Sequence, residues 1–192
     1  SKKLRDWQQL NSNSGDLVRY SSNEPRPSMF WQELRSRGVD WVVFPSDDDV
    51  FRPEILDEWK STIAGKPLLR CFASSAMLIN ENSEQTGEIL TPTAFGDKTT
   101  VDQVASAFHH PPFVWPALFL RVTSIPLEMP NSRFAFDWWV GLHLLIAGEV
   151  AVTKSIGINY RVHPEQESFA APLRRKYFEA QVWLNDLVQS VE

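Results

Sequence analysis

Short apolar runs alternate with helical patterns along this chain, and turn-forming residues separate them. Residues 28–37 carry a helical pattern that stops at Gly38, as suits a helix C-terminus. Trp41-Val42-Val43-Phe44 is a continuous apolar run, the pattern of a strand buried on both faces. Pro53 fits the first turn of a second helix, where Ile55, Leu56, Trp59 and Ile63 recur at helical spacing before Gly65 and Pro67. Residues 68–80 read as strand, and 81–98 as a polar loop with room for a hairpin. Thr99 or Thr100 caps a predicted helix that runs to Phe108. Phe113 to Val122 is strand-like, interrupted by Pro116; residues 134–147 predict a helix ended by Gly148; Val150 to Tyr160 reads as two short strands or one bent strand. Nearer the ends, residues 1–12 show a helical stripe of Leu4, Trp7 and Leu10, and Leu17-Val18-Arg19-Tyr20 a short strand. Residues 173–191 form an amphipathic helical pattern. Strands alternating with helices, with no repeat and no linker, predict a single α/β domain.

Composition narrows the class. At 192 residues, 43% hydrophobic and 22% charged, the chain has the balance of a globular domain that buries a real core. One cysteine, Cys71, rules out a disulfide scaffold; it sits in a predicted strand as an inert buried thiol and fits a reducing compartment. There is no apolar run of about 18 residues and no signal-like start, which together fit a cytoplasmic protein. A net charge of −5, from 24 acids against 19 bases, argues against a nucleic-acid partner. Arg174-Arg175-Lys176 is compatible with peripheral membrane contact as well as with a solvated helix face. The eight tryptophans and twelve phenylalanines are mostly core, and some are candidate platforms for sugars or bases.

Ser46-Asp47-Asp48-Asp49 follows directly on the predicted strand at 41–44. Consecutive carboxylates there repel one another unless a cation or a turn of N–H groups compensates. Their oxygens are hard donors suited to Mg²⁺ or Mn²⁺, and the carboxyl end of a strand in an α/β sheet is where ligands sit. A solvated turn in which one Asp caps the next helix is the alternative.

The segment Trp41-Val42-Val43-Phe44-Pro45-Ser46-Asp47-Asp48-Asp49-Val50-Phe51-Arg52-Pro53-Glu54-Ile55-Leu56 resembles the central segment of family-2 glycosyltransferases: an apolar strand, an Asp-x-Asp-Asp turn, then Pro and a helix. A second block is similar in order and spacing. Phe134-Ala135-Phe136-Asp137-Trp138 opens a helix ending at Gly148-Glu149-Val150, followed by Tyr160-Arg161-Val162-His163 and Glu167-Ser168. The resemblance covers roughly residues 15–168 and implies a single-domain glycosyltransferase-A-like fold, with a mixed central sheet flanked by helices. Residues 1–66 would be a partial nucleotide-sugar-binding part, 67–170 the acceptor side and 171–192 a C-terminal helix.

By that resemblance Asp48 binds the metal, Mn²⁺ or Mg²⁺, together with His163. Asp47, Asp49, Arg161 and His163 would hold the donor diphosphate, and Asp137 would be the general base. The implied reaction is metal-dependent, inverting transfer from a UDP- or GDP-linked sugar to a carbohydrate or lipid-linked acceptor hydroxyl. Two departures stand out. Ser46 occupies the place of the first Asp of the motif, so Asp47 substitutes if the cluster is shifted by one. The family's usual first β-α-β unit has no counterpart here, which would leave a sheet edge compatible with a homodimer. A non-catalytic carbohydrate-binding or assembly module is therefore the competing expectation.

Several residues keep two readings. Asp137 near a helix start is favourable through the helix dipole alone. His109-His110 are adjacent on an extended chain, point to opposite faces and read as loop rather than as a metal pair. Of Trp138 and Trp139 at most one faces an acceptor cleft, and Trp115 either lines that side or is core.

Overall fold

The structure is a computed structural model and describes residues 27–46, 48–92, 112–125, 136–147 and 150–163. The expected helices over 1–12, 99–108 and 173–191, and the strand at 17–20, lie outside the described residues, as do Asp47, His109 and His110.

Helix α1 (Pro27–Ser36) buries Trp31 and Leu34, three residues apart on one face. It stops at Gly38, whose φ of +68° lies in the left-handed region that glycine adopts without strain. There the Gly38 N–H donates to Arg35 O and the Val39 N–H to Leu34 O, both at 3.0 Å, closing the last turn. The Arg35 guanidinium reaches across to the carbonyls of Val122 and Ile125 and ties α1 to the 3₁₀ turn at Val122–Ser124.

Strand β1 (Trp41–Val43) follows, then β2 (Val50–Phe51) and helix α2 (Ile55–Gly65). Pro53 lies in the turn just ahead of α2, and no carboxylate caps the helix: its N-cap is Glu54, whose side chain makes no cap hydrogen bond. Strand β3 (Cys71–Ile79) pairs with β4 (Gln85–Leu90), so the polar stretch after residue 80 does form a hairpin. A 3₁₀ turn at Trp115–Ala117 leads into β5 (Leu118–Arg121), because Pro116 cannot donate to a ladder. Helix α3 (Phe136–Ala147) and strand β6 (Val150–Arg161) complete the described elements.

The described strands make one mixed six-stranded sheet in the order β1-β5-β3-β6-β2, with β4 beside β3. β5 is antiparallel to both β1 and β3, and β3 is parallel to β6. β1, β3 and β6 therefore share one direction, and the chain is α/β. β2 runs back antiparallel to the far end of β6, with Val50 opposite Asn159. Residues 44–49 carry the chain from one edge of this order to the other. Trp41 and Val43 of β1 and Phe51 of β2 pack on the same cluster beneath α2, which a curled sheet allows.

Helices cover both faces. On one side α1 and α3 bury Trp31, Leu34, Leu120, Val140, Leu142 and Leu145 in the main core. α3 is apolar almost all round, as a buried helix must be. On the other side α2 covers Phe72, Phe119 and Ala151, with the Trp59 ring stacked on Phe119 at 5.2 Å. The apolar run at 41–44 feeds both layers: Val42 and Phe44 face the first, Trp41 and Val43 the second. Its residues are only half-buried, however, because β1 has β5 as its one described neighbour. Among the described residues no helix is long and apolar enough to cross a membrane.

β6 is one bent strand. From the pair Ala73–Val152 to the pair Ser75–Ile156, β3 advances two residues while β6 advances four. Ser75 Oγ donates to Thr153 O at 3.4 Å across this bulge, and Ser74 Oγ donates to Ala117 O at 3.0 Å. Beyond the bulge, Gly157 lies so close to β3 that a Cβ there would sit 2.1 Å from Ser74 Oγ. Only glycine permits that approach.

Two outcomes follow from this packing. Gly157→Ala is expected to lower folding stability by about 1–3 kcal/mol through overpacking, measured by urea denaturation; a change within the scatter of surface variants would mean the strands part without cost. His143, stacked on Trp139 at 5.5 Å, has its pKa pushed below the ordinary imidazole value by burial and by the Arg70 charge. Its unfolded value is about 6.5, so the unfolded chain takes the proton first as pH falls. Stability should drop from that pH downward until the folded histidine titrates too. The loss should be smaller in His143→Gln when both are unfolded at pH 7.5 and pH 5.5.

Candidate functional site

The sheet's geometry sets the meeting point. β3 and β6 end together at the pair Ile79–Arg161, and the Val162 N–H extends the ladder to Ile79 O at 2.9 Å. β2 turns back beside Asn159, so the acidic turn that precedes it lies at the same carboxyl end. The crevice beyond the carboxyl ends of parallel strands is where α/β sheets bind ligands.

Within that turn the Asp49 N–H donates to Ser46 O at 3.3 Å. The Asp49 carboxylate points back at β6, where Oδ1 accepts the Arg161 main-chain N–H at 2.9 Å. Its Oδ2 is buried and has no hydrogen-bond partner. Burial raises the Asp49 pKa above the ordinary carboxylate value; the Arg161 N–H opposes this, the Asp48 charge adds to it, and hydrogen bonds from Ser46 oppose it again.

Asp48 turns the other way. Its Oδ2 lies 2.9 Å from His163 Nε2. The His163 side chain is 24% exposed and that of Asp48 32%, open enough for a ligand to reach both. The Asp48 carbonyl accepts the Arg161 Nε–H at 2.9 Å. Arg161 Nη1 donates to Asn80 O at 2.7 Å and Glu81 O at 3.0 Å, and Nη2 to Ser83 Oγ at 2.9 Å. The guanidinium that the resemblance turns toward a diphosphate is thus engaged by three main-chain carbonyls and a hydroxyl.

Asp48, Asp49, Arg161 and His163 are brought together; Asp47 lies outside the described residues. Asp137 lies in the first turn of α3, where Oδ1 accepts the Trp138 N–H at 2.8 Å. Burial pushes its carboxyl up, tempered by that N–H and its own. Among the described residues no hydrogen bond or ion pair joins Asp137 to the Asp48 group. Trp139 is core, whereas Trp138 and Trp115 are partly exposed; Trp115 stacks on Phe44, just ahead of the acidic turn, at 5.4 Å.

Among the described residues no group of three or more His, Cys, Asp or Glu is placed to hold a metal ion. Mg²⁺ keeps several waters and needs only one or two carboxylates. The residues that could hold one here are Asp48 through its carboxylate and His163 through a ring nitrogen, with Asp49 Oδ2 as an acceptor for a bound water.

Sequence reasoning did not single out Asn80, Ser83, Ser74 or Gly157. Asn80-Glu81-Asn82-Ser83-Glu84 is a run of turn formers after a strand, and Gly157 lies inside a strand pattern; both are readable signals of tight turns and close approach. A groove of about 410 Å³ between α2 and the start of β6, lined by Glu58, Thr62, Lys66, Phe72 and Val150 to Thr153, lies at the opposite end of β6 from these residues. No protein-family model matches this chain, and no curated protein matches it either.

Proposed function

We propose that this chain is a metal-dependent glycosyltransferase of the family-2 kind, with a glycosyltransferase-A-like fold. It would transfer a sugar from a UDP- or GDP-linked donor to the hydroxyl of a carbohydrate or lipid-linked acceptor. The observation that carries the reading is the contact of Asp48 with His163. These residues are 115 positions apart in the two sequence blocks that resemble the family, and they meet at 2.9 Å at the carboxyl end of the parallel strands.

Transfer breaks the bond between the anomeric carbon and the donor phosphate oxygen and forms a bond from that carbon to the acceptor oxygen. The nucleoside diphosphate leaves with the electron pair of the broken bond. A divalent cation, when bound, neutralises charge that grows on that leaving group. Asp48 and His163 would hold it. Asp49 keeps the turn in place through the Arg161 N–H. Asp137 would take the acceptor proton, and a single displacement from the face opposite the leaving group inverts the anomeric carbon. Its carboxyl, pushed up by burial, is a stronger base than a solvated aspartate.

Transfer from a panel of UDP- and GDP-sugars to oligosaccharide acceptors tests this. Asp137→Asn should cut the rate at least about 100-fold and leave nucleotide binding unchanged. Wild-type transfer by that variant would remove Asp137 from the chemistry. Absence of transfer by the unaltered chain from every donor would contradict the proposal.

A further inference from the structure

Arg161 presents five N–H donors in a fixed fork. Four of them go to Asp48 O, Asn80 O, Glu81 O and Ser83 Oγ, which belong to two turns far apart in sequence. To bind a diphosphate through those four donors, the guanidinium would have to abandon three carbonyls, two of them in partly buried contacts, at a cost that a new charge-assisted bond must first offset.

We propose that Arg161 is a positioning residue. It fastens the acidic turn to the β3–β4 turn, so that Asp48 and His163 are held together as a preformed cation site. The cation is the part that rests on the function proposed above; the fastening does not depend on it.

The β3–β4 turn is shaped to receive this side chain. Asn80 Oδ1 accepts the N–H groups of Asn82 at 2.9 Å and Glu84 at 3.0 Å, and Asn80 Nδ2 donates to Glu84 Oε2 at 2.8 Å. Those bonds turn the Asn80 and Glu81 carbonyls toward β6. Ser83 has a φ of +66°, a conformation that residues other than glycine rarely adopt. Its hydroxyl accepts from Nη2 in that conformation, so a local strain coincides with the contact that uses it. On the other side, residue 161 grips the acidic turn twice: the main-chain N–H holds Asp49 Oδ1 and Nε holds Asp48 O. Replacing the side chain removes only the second grip and leaves the sheet pairing of β6 intact. Lysine offers donors from one nitrogen and cannot span both turns as the fork does.

The experiment uses the full chain, with Mn²⁺ alone titrated by water-proton relaxation, amide hydrogen exchange read across both turns, and UDP titrated separately at saturating Mn²⁺. Arg161→Met should weaken Mn²⁺ binding about 10- to 100-fold, the usual effect of losing a group that orients metal ligands. The Asp49 amide and those of Asn82 to Glu84 should lose protection together, while those of Leu118 to Leu120 keep theirs. Arg161→Lys should recover only part of either loss, and UDP binding at saturating Mn²⁺ should not change. Loosening of one turn without the other would overturn the proposal. So would loss of UDP binding at saturating Mn²⁺ with Mn²⁺ affinity unchanged, which marks a diphosphate ligand. If the unaltered chain binds no Mn²⁺, the cation reading of the site fails, and the exchange data still decide the fastening. Should Arg161→Met not fold, Ser83→Ala removes one bond of the four and should loosen both turns in the same direction by less.

Discussion

β3 and β6 run parallel from the pair Cys71–Val150 to the pair Ile79–Arg161, and the placement of every other described element follows from that ladder. Parallel partners cannot be joined by a tight turn, so the intervening chain must cross over, and helix α3 lies on that path. Such a pair also needs both faces covered. α1 and α3 meet that need on one side and α2 on the other. The bulge in β6 absorbs the mismatch in length between the two strands and lets both end at one level. At Gly157 and Ser74 the two strands lie too close to admit a Cβ without a shift.

The end of that ladder determines the chemistry available. Two neighbouring aspartates on a short connection repel each other, and the fold separates their tasks. Asp49 faces inward, where burial raises its pKa and a main-chain N–H engages one oxygen. Asp48 faces His163 in a partly open position. A buried, hydrogen-bonded carboxylate and a partly exposed one thus stand side by side, set apart by environment and not by residue type.

Much of the architecture was legible along the chain, because α1 and α2 carry a periodic apolar pattern with a recognisable stop, while α3 and β3 are largely apolar runs of helix and strand length. The stop at Gly38 and the spacing of Ile55, Leu56, Trp59 and Ile63 correspond closely to what folds. The partial exposure of β1 was not legible in the apolar run itself, which reports that both faces pack but not that β5 is its one described neighbour. The acidic turn and the Arg-x-His segment were legible as chemistry, yet the destination of the Arg161 side chain was not. Its partners are mainly main-chain carbonyls, which every residue has and no sequence pattern marks. The Asn80–Glu84 turn that presents two of them was visible only as a cluster of turn formers.

The central claim is that the acidic turn, held against the end of β6, binds a nucleoside diphosphate through a divalent cation. Calorimetric titration of UDP and then GDP, with and without Mn²⁺, on the unaltered chain and on Asp48→Ala addresses it most directly. The account predicts binding by one of the two nucleotides that depends on Mn²⁺ and is lost in Asp48→Ala. Binding that ignores both the metal and the substitution, or no binding of either nucleotide with Mn²⁺ present, would contradict it.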